Sequence, residues 1–247
     1  MRRGSGVRGK KPDIVHNTIS GAKWGIIVAG GAPSIRDRNR VENNTVPGLG
    51  YGLYVTSTSP FNVTDNNTFS NNLKAGIYIG TNANVAISKD NVISHNTQYG
   101  IWIQGGNATI SDRNRIDHSQ YGVYMDTSYA PSVRDNNTIN NNSVAGIYLS
   151  SSVGTFNGQI WWNDLVDNGE GISAQNPASG VYFHAECNWW KDSNGPNDPS
   201  LGPPDQWNNS AGQNVSDYFF YRDRYTNDPY WLQEPSLTAT SCKGPQP

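Results

Sequence analysis

The amino-acid sequence predicts an all-β solenoid in which about seven similar coils stack on one another. Three observations predict this class: a repeated glycine followed by an apolar–variable–apolar triplet, an Asn-x-apolar motif that runs in step with it, and a further apolar position in each period. The glycines lie 22 to 27 residues apart. A unit of this length buries its apolar side only by stacking on its neighbours.

The glycine-anchored motif predicts one strand in each coil. Its copies begin at Gly25, Gly52, Gly76, Gly100, Gly122, Gly146 and Gly171. In the first copy, strict alternation predicts that Ile26 and Val28 point inward and that Ile27 points outward. The same alternation applies to each later coil.

The Asn-x-apolar motif predicts a second strand and a polar column at its start. Its asparagines are Asn17, Asn39, Asn67, Asn91, Asn114, Asn137, Asn163 and Asn188. The first seven each precede a motif glycine by 8 or 9 residues, except that 13 residues separate Asn39 from Gly52, which predicts an inserted loop. We expect the stacked amides to hydrogen-bond along the column and to satisfy the backbone of the turns.

A third apolar position completes each coil. It is occupied by Ile35, Val63, Ile87, Ile110, Val133 and Phe156. Three short strands per coil are therefore predicted.

The full repeat, NTFSNNLKAGIYI at residues 67–79, resembles the short "NTIS-NN-x-GIYL" repeat of right-handed parallel β-helix proteins in the pectate-lyase-like superfamily. That resemblance covers residues 13–190 and implies their fold, with three-strand coils. It implies no single activity, because lyases, hydrolases, epimerases and adhesins share the repeat.

The sequence divides into a basic flexible tail at 1–12, the β-helix at 13–190 and a C-terminal cap segment at 191–247. Residues 187–196 resemble the "NWW…GP" terminator of many such solenoids. The prolines and aromatic residues that follow predict an irregular aromatic cap over the open end. Cys187 and Cys242 flank this cap, so a disulfide between them is a candidate.

Composition limits the class of partner. A net charge of −2 with 15% charged residues excludes a strongly basic nucleic-acid binder. No segment approaches the length of a membrane span, and no signal peptide is recognisable. Low charge and few cysteines suit an extracellular or cell-surface protein whose partner is a polysaccharide or other copies of itself.

A row of aromatic residues occupies the outward position of the glycine-anchored strand in five consecutive coils. Its members are Tyr54, Tyr78, Trp102, Tyr124 and Tyr148. With strands about 4.8 Å apart, this predicts a flat stripe about 19 Å long. It is the candidate binding surface for sugar rings or another copy. The alternatives are an aromatic ladder that stabilises the sheet, or a surface covered by the C-terminal segment.

A charged column precedes the asparagine motif. Asp37, Asp65, Asp112 and Asp135 are candidate Ca²⁺ ligands, and Lys89 or Arg113 is the candidate base of a polysaccharide lyase. The alternative is a solvated ladder of ion pairs at a turn.

His95 and His118 occupy equivalent positions on neighbouring coils, and Asp117 is adjacent to His118. Two stacked imidazoles beside a carboxylate are able to bind a metal or share a proton. The alternative is that histidine replaces the asparagine found in the same column at Asn71 and Asn141.

Together these patterns predict a non-catalytic structural or adhesive module that binds glycan or self-associates through the stripe. The alternative is a polysaccharide lyase or glycoside hydrolase. Its candidate catalytic residues are Lys89, Asp112, Arg113, Asp135, His95 and His118. No cofactor is expected, apart from Ca²⁺ at Asp65, Asp112 and Asp135 in the lyase alternative.

Overall fold

A computed structural model describes residues 12–153, 158–175, 183–191, 219–220 and 236. These residues form three seven-stranded parallel sheets, here called sheets A, B and C, and each coil contributes one strand to each sheet. The described residues contain no α-helix, only one 3₁₀ turn at Ser151–Val153. The predicted all-β solenoid of about seven three-strand coils is confirmed.

The strands are short and follow the coil order in every sheet. Sheet A comprises Asp13–Val15, Ser34–Arg36, Phe61–Thr64, Asn84–Ser88, Asn107–Ser111, Ser132–Arg134 and Ile160–Trp161. Sheet B comprises Thr18–Ser20, Arg40–Glu42, Thr68–Ser70, Val92–Ser94, Arg115–Asp117, Thr138–Asn140 and Asp164–Val166. Sheet C comprises Trp24–Val28, Tyr51–Val55, Ala75–Ile79, Tyr99–Gln104, Tyr121–Asp126, Ala145–Leu149 and Glu170–Ala174. Phe183–His184 pairs separately with Phe219–Phe220.

Burial follows the predicted alternation at the start of sheet C. Ile26 and Val28 are 6% and 3% exposed, whereas Ile27 between them is 51% exposed. Equivalent residues of later coils join one hydrophobic core that runs along the stack. The alternation is therefore confirmed.

One predicted core position is wrong. Ile160, not Phe156, pairs with Val133 and completes sheet A in the seventh coil. The connection from sheet C to this strand is longer than in the preceding coil. The repeat pattern alone therefore does not show which apolar residue after the connection belongs to the strand. Phe156 itself lies outside the described residues.

The glycines of the first six motifs, from Gly25 to Gly146, are required by close approach of the coils. A Cβ atom at Gly122 would lie 2.5 Å from the Gly146 carbonyl oxygen and 2.9 Å from Asn142 Nδ2. It would thus project into the interior, as does the Val123 side chain that follows it. The alternation is interrupted at the glycine, so the residue before it, Tyr121, lies on the outer side with Tyr124 and contacts its ring.

The predicted asparagine ladder is confirmed. From Asn17 to Asn188, each side-chain amide donates to the Oδ1 of the next asparagine at 2.8 to 3.1 Å. The same amides also donate to turn carbonyls, for example from Asn114 to Ser111 at 2.6 Å. The column therefore satisfies buried backbone at the corner between sheets A and B.

A second ladder, which the sequence analysis did not predict, lies at the corner between sheets B and C. Asn44 donates to Asn72 at 2.8 Å, Asn72 to Asn96 at 3.0 Å, and Asn142 to Asn168 at 2.9 Å. Ser119 takes the intervening position. Two inward polar columns thus fix two of the three corners.

Candidate functional site: the aromatic face and the charged corners

The predicted stripe lies on the outer side of sheet C. Tyr54, Tyr78, Trp102, Tyr124 and Tyr148 are in direct register on five adjacent strands. All five are half-buried. Their outward direction follows from the inward core residues on either side of each ring.

A second aromatic column, which the sequence analysis missed, widens this surface. Trp24, Tyr51, Tyr99 and Tyr121 precede their glycines and share a register position with Ala75 and Ala145. Strict alternation continued through the glycine would place them in the interior, but the interruption at the glycine turns them outward. The signal that identifies them is the aromatic–glycine pair that opens four of the seven motifs. We call the nine side chains of both columns the aromatic face.

The aromatic face is not flat, so that part of the prediction is wrong. Tyr54 stacks on Tyr78 with ring centroids 4.7 Å apart and planes 11° from parallel, and Tyr124 stacks on Tyr148 at 5.0 Å and 13°. Trp102 instead meets Tyr78 edge to face at 5.1 Å. Rings on adjacent strands gain contact by stacking against one another rather than by lying side by side.

Rings of the second column also contact rings of the first column in the next coil. Beside Ala75, Tyr51 of the preceding coil reaches Tyr78 edge to face at 5.4 Å. Beside Ala145, Tyr121 makes the same contact with the next coil at 5.1 Å. The rings therefore hold one another in fixed positions.

Polar groups border the aromatic face. The Lys74 ammonium lies 5.2 Å from the Trp102 ring centroid, a distance at which a cation is attracted to the ring. The Tyr78 hydroxyl donates to Gln104 Oε1 at 2.8 Å, and Gln104 is in register with Asp126. The surface thus combines apolar ring edges with hydroxyl, amide and charged groups.

Packing changes the acidity of the tyrosines. Burial, with weaker contributions from neighbouring tyrosines, raises the pKa of Tyr51 and of Tyr124 to about 12. Burial also raises the pKa of Tyr78, Tyr99 and Tyr148. The folded protein therefore favours the neutral phenols.

We expect stability to fall in alkali because of this shift. Below the ordinary tyrosine pKa of about 10, the phenols are protonated in both the folded and the unfolded protein. These groups therefore do not change the free energy of unfolding with pH in that range. Between about pH 10 and 12 the unfolded chain ionises first, so the free energy of unfolding falls as pH rises. Denaturant titrations across this range measure the slope. The Tyr51→Phe/Tyr124→Phe variant should have a shallower slope, and an equal slope in both proteins would contradict the assignment.

The aspartates of the charged column do not form a continuous row. At the corner between sheets A and B, Lys89 lies between Asp65 and Asp112, as the backbone hydrogen bonds from Asn66 to Lys89 and from Asp90 to Asp112 show. The Lys89 ammonium is 3.9 Å from Asp65. A cation thus occupies the place where a Ca²⁺ site would need an oxygen ligand.

Arginines of the same column are paired with carboxylates. Arg113 makes two hydrogen bonds to Asp90, at 2.9 and 3.1 Å, and Arg134 contacts Asp135. Asp112 accepts from the Ser111 hydroxyl at 3.1 Å. These side chains are 37% to 50% exposed where they form ion pairs, an arrangement typical of solvated ion-pair ladders.

The histidines are brought together as predicted. His95 and His118 stack with ring centroids 4.4 Å apart and planes 3° from parallel. Their ligand atoms and those of Asp117 all lie within 4.8 Å of one another. Among the residues that the structure describes, this is the one group of three such side chains.

At the far end of the stack, Cys187 is fully buried beside Trp161, Trp162 and Trp189 and has no free thiol. Cys242 lies outside the described residues, so its pairing with Cys187 stays a prediction. The described part of the C-terminal segment includes Ser236, whose backbone N–H donates to Asp164 on sheet B at 2.6 Å. At this point the segment covers sheet B rather than the aromatic face.

Three parallel sheets, short coils and inward asparagine ladders define a parallel β-helix. A family model described as "Right handed beta helix region" matches residues 2–116 and 41–188. Because these matches span most of the chain, the protein belongs to the right-handed β-helix family, consistent with the pectate-lyase-like superfamily. No curated protein and no solved structure matches the chain. None of the described helices is long and apolar enough to cross a membrane.

Proposed function

We propose that the protein is a non-catalytic module that binds glycan chains along the aromatic face. The observation that carries this proposal is the run of five consecutive coils with an aromatic side chain at one outward position. The second column widens the run. Aromatic surfaces of this extent are uncommon on soluble proteins without a binding role.

The chemistry of the surface suits a sugar polymer. A sugar ring has apolar C–H groups and a polar hydroxyl edge, so its binding surface needs apolar contact beside hydrogen-bonding groups. The ring edges supply the first. Gln104, Asp126 and the tyrosine hydroxyls supply the second.

The rigidity of the surface favours binding. Stacked and edge-to-face contacts already fix Tyr54, Tyr78, Tyr124 and Tyr148. Side chains that are ordered before binding lose little conformational entropy when a ligand arrives. A long, repeated surface also fits a repetitive ligand such as a polysaccharide.

We further propose that the protein acts outside the cell or on its surface. Its low charge, 15% of residues, and its two cysteines support this location. The ion pairs of the charged column support a structural role for that column, because Lys89 and Arg113 already contact carboxylates.

The Trp102→Ala/Tyr124→Ala variant tests the proposed surface. Loss of two central aromatic anchors should weaken binding to a recognised polysaccharide at least tenfold, since such anchors each contribute more than about 1 kcal/mol. Affinity electrophoresis against a panel of neutral and acidic polysaccharides identifies the ligand, and titration calorimetry measures the affinity. The Thr109→Ala/Thr138→Ala variant, altered on the outer sides of sheets A and B, is the matched control.

Three outcomes would contradict a non-catalytic glycan-binding role for this surface. Unchanged affinity with a lowered unfolding midpoint would mean that the rings only stabilise sheet C. Oligomers lost in the variant, without polysaccharide binding by the wild type, would assign the surface to another copy of the chain. Release of reducing or unsaturated ends would indicate an enzyme instead.

A further inference from the structure

We propose that His95, His118 and Asp117 form a binding site for a single Zn²⁺ ion at the corner between sheets B and C. This site goes beyond the proposed function and is independent of the aromatic face. Two imidazoles and a carboxylate are the donor set of many zinc sites with three protein ligands, in which water takes the fourth position.

The histidines alone do not carry the inference. Both adopt the left-handed backbone conformation, with φ of 54° and 51°, which asparagine and histidine tolerate better than most residues. Asn71 and Asn141 adopt the same conformation in the same column. The turn geometry therefore explains why asparagine or histidine occupies this column. It does not explain the surroundings of the Asp117 carboxylate.

Asp117 supplies the independent observation. Its side chain is 1% exposed, although its place beside Ile116 in the strand puts it on the outer side of sheet B. Neither of its oxygens accepts a hydrogen bond. The neighbouring Asn140, in register with it, also has a buried Oδ1 without a partner. Buried oxygens that accept no hydrogen bond are costly, and they leave lone pairs free for a further electropositive ligand such as a metal ion.

Two groups face this carboxylate from nearby. The Arg115 Nη1 lies 2.7 Å from Asp117 Oδ2, in a direction that makes an ion pair but no hydrogen bond. The His118 Nδ1 lies 3.4 Å from Asp117 Oδ1. One oxygen is thus held by Arg115 and the other faces the imidazole. A charged partner of this kind orients a metal-binding carboxylate.

The exposed imidazoles are able to complete the site. Zinc–nitrogen bonds are about 2.0–2.1 Å long, so donors of a tetrahedral site lie roughly 3.3 Å apart. The ligand atoms, which lie within 4.8 Å of one another, therefore move closer when the ion binds. Both rings lie at the surface, where they are able to tilt out of their parallel stack.

The sequence of this coil departs locally from the repeat. Residues 117–119 read Asp-His-Ser, where the next coil has three asparagines at 140–142. The serine interrupts the second asparagine ladder, because no side-chain amide is available at that rung. Asp117 and His118 thus lie directly beside the position where the second asparagine ladder is interrupted.

Zinc titration of the full chain tests the site. Calorimetry with Zn²⁺ alone should show one ion per chain, and Co²⁺ substitution should give the visible absorption of a four-coordinate centre. His95→Asn, His118→Asn and Asp117→Asn should each weaken zinc binding at least tenfold. Asparagine already occupies the equivalent turn positions, so the two histidine variants should fold normally, as circular dichroism checks. His16→Asn, at another corner with φ of 54°, is the matched control and should bind as the wild type does.

The proposal would be overturned by the absence of stoichiometric zinc binding by the wild type, or by wild-type affinity in the His95→Asn/His118→Asn variant. Imidazole signals in the NMR spectrum of the wild type give a second readout that needs no substitution. The signals of His95 and His118 should shift on zinc addition, while that of His16 should not. A shift confined to other histidines would also overturn the proposal.

Discussion

Replacement of Asn114 by alanine is expected to lower the free energy of unfolding by about 3–5 kcal/mol, since each buried polar group left without a partner costs about 1–3 kcal/mol. Asn114 is 0% exposed and occupies a middle rung of the first asparagine ladder. Its Oδ1 accepts from the backbone N–H and the side-chain amide of Asn91. Its own amide donates to the carbonyls of Ser111 and Ile87. The substitution removes all of these bonds at a position that is fully buried in the folded protein.

Asn17→Ala is the matched control for this prediction. Asn17 is the exposed first member of the same ladder and donates to Asn39 and to the Val15 carbonyl. Solvent is able to replace its bonds, so we expect a loss below about 1 kcal/mol. Reversible denaturant unfolding of both variants measures the difference. Equal losses would show that the ladder contributes no more inside the stack than at its open end.

The Ile101→Ala variant is expected to lose about 2–5 kcal/mol, through lost apolar burial and the cavity left between coils. Ile101 is fully buried, between Ile77 and Val123 on the adjacent strands of sheet C. Coils above and below are held in register by both ladders, so they have little freedom to close the cavity. Ile147→Ala should behave alike, because Ile147 is also fully buried.

Ile27→Ala provides the control for core burial. Ile27 belongs to the same motif but is 51% exposed, so its truncation should change stability by no more than about 0.5 kcal/mol. Denaturant unfolding followed by circular dichroism compares the variants. A loss under about 1 kcal/mol for Ile101→Ala would mean that the alternation had been assigned to the wrong face of sheet C.

The sequence by itself determined the coil period, the three-strand coil and the first asparagine ladder. These features repeat at one spacing, and each repeat must align with its neighbours to bury its apolar side. The inward positions of Ile26 and Val28 and the outward position of Ile27 followed from local alternation. The juxtaposition of His95 and His118 followed from their equal distance after the asparagine motif.

Only the tertiary structure decided how the side chains of neighbouring coils meet. Tyr51 and Tyr121 lie outward because a glycine fits where the coils approach too closely for a Cβ atom, and this interrupts the alternation. Tyr54 and Tyr78 stack on each other because the strand spacing matches the distance of a ring stack. Asp117 is buried on the outer side of its strand because the side chains around it cover it. Such contacts depend on the distance and direction between coils, which a pattern read along one chain does not contain.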